Sequence, residues 1–186
     1  AVENKKVRYK FLKKAGKSLD GLDMLVQDLL TLSQMETGGI KMQYEHFDIV
    51  KIIREVFEQF ESDADKKGIS LKLEMKQDDY TCIYADYQRI YQVMVNLVSN
   101  AIKYTKKDGA VIVSFDKHSD KLEIHVKDFG RGIPKEDIAR IFERFYRVEK
   151  SRSRNKGGTG LGLAIVKHLV ELHHSKVDVK SVVDQG

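Results

Sequence analysis

Three short stretches of this chain hold residue types that could do chemistry together. The first is Asn96-Leu97-Val98-Ser99-Asn100-Ala101-Ile102-Lys103-Tyr104. On a helix, Asn96, Asn100 and Lys103 fall at i, i+4 and i+7 and share one face. Two neutral amide oxygens there could hold a hard cation with its waters, and the lysine could meet phosphate. An ordinary polar helix face has the same pattern. The second stretch, Asp128-Phe129-Gly130-Arg131-Gly132-Ile133-Pro134, follows a strand-like alternation. Its glycines permit sharp turns and close backbone approach to a flat ligand. Its carboxylate could accept a hydrogen bond from an exocyclic amine, and a plain turn fits these residues equally well.

The third stretch is Gly157-Gly158-Thr159-Gly160-Leu161-Gly162-Leu163, opening a helix. Backbone amides at a helix N-terminus, helped by the helix dipole, form an anion site. The stretch lacks the Walker lysine and does not follow a first strand as a dinucleotide fingerprint does. Four glycines in six positions exceed what a helix entry needs, so it reads as a phosphate site. Before it, Phe142, Phe145, Tyr146, Arg147, Lys150, Arg152, Arg154 and Lys156 make a basic, aromatic loop. A lid over a nucleotide and a solvated charge run both fit that loop. Phe142 and Phe145 suit anchoring core as well as ligand contact.

The elements that must position these clusters follow from periodicity. Leu12, Ala15, Leu19, Leu22, Val26 and Leu29 step by three and four, with Leu25 and Leu32 widening the stripe. That predicts one helix over 7–36, carrying a heptad seam suited to other helices rather than to its own core. Gly16 and Gly21 weaken it by roughly 1 kcal/mol each. Thr37-Gly38-Gly39 ends it and marks a domain boundary near residue 40. Beyond lie a short strand at 41–47, a helix at 48–66, and strands at 69–75 and 81–84. A helix at 86–105 carries the first cluster. Strands at 110–117 and 121–128, joined by His118-Ser119-Asp120, predict a hairpin. A helix at 135–144, a polar loop at 145–158, a helix at 159–174 and a strand at 176–183 complete the chain. The fold class expected is α/β, a two-layer sandwich of a mixed sheet and three helices behind one long helix.

Composition narrows the function. The chain has 186 residues, 41% hydrophobic and 33% charged, enough for one core and a smaller piece. No apolar run approaches the ~18 residues of a membrane span, and no signal pattern opens the chain. A single cysteine, Cys82, excludes an internal disulfide and a cysteine metal cluster, and points to a reducing compartment. The net charge of +5 comes from scattered basic residues, so nucleic acid is not the expected partner. The opening Ala1 and the stop at Gly186 after a strand-like pattern suggest an excised piece.

In this order and spacing, the clusters resemble the ATP-binding domain of bacterial sensor histidine kinases. NLVSNAIKYT resembles that family's N box, DFGRGIP its G1 box, IFERFYR its F box and GGTGLGLAIVKHLVE its G2 box. DLLTLSQMETG resembles the second helix of the dimerisation and histidine-phosphotransfer domain, and the likeness runs from about residue 18 to the end. It implies a Bergerat-type fold, shared with gyrase, the Hsp90 chaperones and MutL. It divides the chain into a partial dimerisation domain at 1–39 and an ATP-binding domain at 40–186 lacking its last strand.

The implied ligands are ATP and magnesium. Asn100 would coordinate the metal, with Asn96 supporting it or binding phosphate. Lys103 would contact phosphate and Tyr104 would lie beside the nucleotide. Asp128 would receive the adenine amine in a pocket shaped by Gly130 and Gly132. Gly158, Gly160, Leu161 and Gly162 would give backbone amides to phosphates, and Tyr146 and Arg147 stand where the lid begins.

The parent implied is a membrane-anchored homodimer with this part in the cytoplasm. It would transfer the γ-phosphoryl group of ATP to a histidine, for relay to an aspartate of a response-regulator receiver domain. None of His46, His118, His125, His168, His173 or His174 has the family's acceptor context, an adjoining Glu and a Leu-Arg-Thr-Pro run. The piece is therefore expected to bind ATP without phosphorylating itself, and without touching membrane or nucleic acid. An ATP-hydrolysing clamp of the gyrase type and a non-catalytic interaction module are the rival readings.

Overall fold

The computed structural model describes residues 5–36, 39, 41–75, 81–118, 121–148 and 158–186. Helix α1 spans Lys5–Glu36. Strand β1 (Tyr44–Asp48) then leads into α2 (Ile49–Asp65), followed by β2 (Ser70–Glu74), β3 (Cys82–Asp86) and α3 (Tyr87–Tyr104). The hairpin strands β4 (Ala110–Lys117) and β5 (Leu122–Asp128), short α4 (Lys135–Ile138) and α5 (Gly162–Leu172) complete the order. None of the described helices is long and apolar enough to cross a membrane.

The mixed sheet has three strands, β2 parallel to β4 and β4 antiparallel to β5. A separate antiparallel pair, β1 with β3, packs against α3. Helices α2 and α3 cover the sheet, and α5 packs on α3, giving the two layers expected. Each of the first two layer helices starts on an aspartate cap, which satisfies amides the helix cannot. Asp48 accepts from Val50 N–H at 3.0 Å, and Asp86 from Arg89 N–H at 3.1 Å.

The main core lies between α2, α3 and the three-stranded sheet, around Ile49, Ile52, Ile53, Met94, Val98, Val111 and Val113. Ile53 has no exposed surface. Ile53→Ala should cost about 2–5 kcal/mol, because the void is lined on both layers. A urea melt checks this, and a loss below about 1 kcal/mol contradicts the packing described.

A second core joins α3 and α5 and takes in Leu32 from α1. Most of the expected seam stays open, with Leu25 half-buried. Leu12, Leu19, Leu22, Val26 and Leu29 are all exposed, so the stripe does not rest on the chain's own core.

The sequence expectation fails in three places. The helix expected over 135–144 stops at Ile138 and continues as turns, with Arg140 N–H bonding Asp137 O and Glu143 N–H bonding Arg140 O. Phe145 then takes a φ of 62°, which no helix continues. The helix expected from 159 begins at Gly162, since Gly160 has a φ of 75°. Residues 176–183 form no strand. Their exposure alternates as a strand's would, but period two fixes which side chains turn inward, not whether a neighbour offers ladder partners.

Candidate functional site

The site gathers at the ends of α3, β5 and the loop before α5. Asn96, Asn100, Lys103 and Tyr104 stand on α3, the last at its C-terminus. Asp128 ends β5, and Gly130 and Gly132 follow in the loop. Gly158, Gly160 and Leu161 lead into α5, which opens on Gly162. Gly157 lies outside the described residues.

Contacts that a missing side chain permits show how closely these segments meet. A Cβ at Gly162 would stand 2.9 Å from Asn96 Oδ1, and one at Gly158 would overlap Lys103 Nζ. A Cβ at Gly130 would stand 2.6 Å from both Asp128 Oδ1 and Tyr104 O. At Gly160 it would meet the Phe145 backbone at 2.9 Å. The first, second and third clusters, with the aromatic turn, therefore form one surface. Asn96, Asn100, Lys103, Tyr104, Asp128 and Gly162 also line one continuous cleft of about 2670 Å³. That exceeds an ordinary ligand pocket, so the cleft outline does not by itself single out a ligand position.

Several hydrogen bonds fix this surface. Asp128 Oδ1 accepts from Gly130 N–H at 2.8 Å, turning the chain sharply after β5. Burial pushes the Asp128 carboxyl above the usual carboxylate range, and the Gly130 bond draws it partly back. Thr105, the cap of α3, bridges to Gly130 through the backbone. Lys67 Nζ donates to Ile102 O at 2.7 Å and Lys103 O at 2.8 Å, holding the last turn of α3. The Tyr104 ring carries two cations, Arg131 at 4.7 Å and Lys103 at 5.0 Å from its centre.

A histidine without the family's acceptor context, His173, helps to place α5 against α3. His173 Nδ1 bonds Leu169 O at 2.7 Å, and Asp86 N–H donates to His173 Nε2 at 3.1 Å. The proton therefore belongs on Nδ1, and the ring ties the end of α5 to the start of α3. Period and spacing give no sign of it, because the two residues lie 87 positions apart.

Other expected residues sit less centrally. The Tyr146 hydroxyl bonds Asp137, and its ring lies under Arg140 at 4.2 Å, so the side chain faces the α4 region. Arg147 is exposed at the cleft rim. The Leu161 side chain is fully buried, leaving only its backbone for a ligand. That amide donates to Thr159 Oγ1 at 3.1 Å. Among the described residues no group of three or more His, Cys, Asp or Glu side chains could hold a metal ion. On α3, the Asn96 and Asn100 amide oxygens are donors that a hard cation could meet, with ligand oxygens and water.

The family model for histidine kinase-, DNA gyrase B-, and HSP90-like ATPases matches residues 85–186. Over 188 aligned residues the chain is 37% identical to the sensor histidine kinase WalK of Bacillus subtilis (strain 168). The match takes in 100% of this chain and 30% of WalK, so the chain spans under a third of that relative. Among solved structures, histidine kinase AdeS of Acinetobacter baumannii superposes with a TM-score of 0.71 at 31% identity, over 86% of this chain and 72% of AdeS. Histidine kinase ThkA in complex with the response regulator protein TrrA gives 0.71 at 26% identity, over 93% of this chain and 47% of ThkA.

Proposed function

The chain belongs to the sensor histidine kinases, whose ATP-binding module it carries, and on that premise we propose that its cleft binds magnesium-ATP for transfer of the γ-phosphoryl group to a histidine. The observation that carries this reading is the cradle around Gly130, Gly158 and Gly162, where a side chain would strike Asp128, Lys103 and Asn96 in turn. These close approaches support the reading because they bring the adenine candidate Asp128 and the phosphate and magnesium candidates Lys103 and Asn96 together with the glycine-rich segments.

In this reading Asp128 accepts from the adenine amine, and the Gly130 and Gly132 turn lies against the base. The Asn100 side-chain oxygen, supported by Asn96, meets a magnesium ion, a hard cation that suits amide oxygens. Magnesium, when bound, neutralises charge on the phosphate oxygens. Lys103 adds a point charge beside Gly158, and the amides of Gly158, Gly160, Leu161 and Gly162 face the phosphates. Helix dipole and unpaired first-turn amides of α5 favour anionic oxygens there. Tyr104 flanks the nucleotide, and Tyr146 and Arg147 stand at the lid's start. The chain's part in the reaction is positioning and charge neutralisation.

For the whole protein, residues 1–39 are proposed as the second helix of a dimerisation domain and 40–186 as the catalytic domain. The exposed seam on α1 supports pairing within a homodimer. The likeness to ThkA, solved in complex with the response regulator protein TrrA, supports a receiver domain as the downstream partner.

Titration of the chain with ATP, with and without magnesium, tests the metal assignment. Magnesium should tighten binding to the wild type, and Asn100→Ala should lose about tenfold or more of that gain while keeping magnesium-free affinity. An unchanged magnesium dependence in Asn100→Ala contradicts the assignment.

A further inference from the structure

The leading helix reaches the glycine-rich loop through a buried carboxylate. Asp28 on α1 is only 8% exposed, and its Oδ2 accepts from the Thr159 hydroxyl at 2.9 Å. The same hydroxyl oxygen accepts from Leu161 N–H at 3.1 Å. Two neighbours anchor α1 here. Leu32 packs with Leu161, Ile165 and Leu169, and Gln92 Nε2 donates to Thr31 Oγ1 at 3.4 Å. Burial pushes the Asp28 carboxyl up and the Thr159 bond draws it partly back.

This relay occupies an amide that the nucleotide reading assigns to phosphate. A hydroxyl that gives its proton to a carboxylate becomes a stronger acceptor, because linked hydrogen bonds polarise one another. The Leu161 amide is therefore held more firmly with Asp28 in place than without it. A phosphate oxygen taking that amide must displace the hydroxyl and also approach the Asp28 charge.

We propose that Asp28 is a positioning residue that opposes nucleotide binding by holding the Leu161 amide, through Thr159, in an internal bond that phosphate must break. The inference rests on the nucleotide reading of the same loop. Linkage makes the effect reciprocal, so nucleotide that frees Thr159 also loosens α1 from the catalytic domain. The leading helix thereby senses occupancy of the phosphate loop, and its movement changes affinity.

The test compares wild type, Asp28→Asn, Asp28→Ala, Thr159→Val and Asp28→Asn/Thr159→Val. Without nucleotide, hydrogen exchange at the Leu161 amide should speed up in both Asp28 variants. In calorimetry with Mg-ADP, Asp28→Asn should bind about three- to tenfold tighter than wild type, the net worth of one hydrogen bond, and less than about twofold tighter once Thr159 is valine. Unchanged Leu161 exchange, or equal or weaker binding by both Asp28 variants, overturns the proposal. An equal gain with and without the Thr159 hydroxyl overturns the relay, leaving only charge repulsion. A wild type that binds no Mg-ADP overturns the nucleotide reading and this inference with it, a result distinct from normal binding that ignores Asp28.

Discussion

Asp128→Ala should lower ATP affinity by about tenfold to a hundredfold while the chain remains folded. The estimate follows from losing one hydrogen bond to a charged acceptor, worth about 1.5–3 kcal/mol when the partner is left without a replacement. Alanine also removes the acceptor for Gly130 N–H, which loosens the turn after β5. Asp128→Asn separates the two effects. It keeps an oxygen for Gly130 but offers a donor, which suits the carbonyl of guanine, so GTP should gain on ATP. An Asp128→Asn chain that keeps full ATP preference contradicts the base assignment.

The raised Asp128 carboxyl adds a pH dependence. Protonation puts an O–H opposite the adenine amine, so affinity for adenosine should fall on acidification, beginning above the pH at which an exposed aspartate titrates. Because the folded value is raised, ionised Asp128 opposes folding at neutral pH. That penalty is relieved as the pH falls through the folded value. Stability and ligand binding should therefore move in opposite directions over the same pH window, as paired melting and adenosine titrations will show.

Gly132→Ala should be among the most damaging single-methyl changes in the chain. Gly132 has a φ of 68°, and an added Cβ would overlap Val182 O and stand 2.9 Å from Val183 Cα. Left-handed backbone and displacement of a neighbouring stretch of backbone together cost about 2–4 kcal/mol. The turn at 181–186 is tied to this loop, Ser181 Oγ accepting from Ile133 N–H and Arg131 O from Asp184 N–H, each at 2.8 Å. Both bonds should weaken, and the melting midpoint should fall by about 5–15 °C. The same substitution at Gly16, which has no atom within 4 Å of an added Cβ, should raise stability slightly, by under about 1 kcal/mol. Equal effects at the two sites contradict the described packing of residues 181–186.

Local signals in the sequence were sufficient wherever the structure is built from local causes. Helices α2 and α3 follow their apolar period to within two residues. The β4–β5 hairpin follows alternation across a short turn, closed by His118 N–H on Lys121 O, while Ser119 and Asp120 lie outside the described residues. The convergence of Asn96 with Gly162 and of Lys103 with Gly158 was legible only through family resemblance, since nothing in the spacing brings the two helices together.

Contacts between distant segments were not legible. A buried Asp28 looks like any polar residue between leucines until α5 is placed against α1. Thr159 reads as one more small residue among glycines, although its hydroxyl joins Asp28 to Leu161. The positive φ of Phe145 belongs to a loop held by Gly160, whose carbonyl accepts Phe145 N–H at 2.9 Å. An aromatic residue there carries no sequence mark of that conformation.

Under the proposed function, the phosphoryl group passes to a histidine rather than simply being released as phosphate. The direct measurement incubates the chain with magnesium and γ-labelled ATP, alone and with a polypeptide bearing the dimerisation helix and its acceptor histidine. Acid-labile, base-stable label should appear on the added polypeptide, with none on this chain and little free phosphate. Steady release of phosphate with no labelled protein would contradict that function and favour an ATP-hydrolysing clamp.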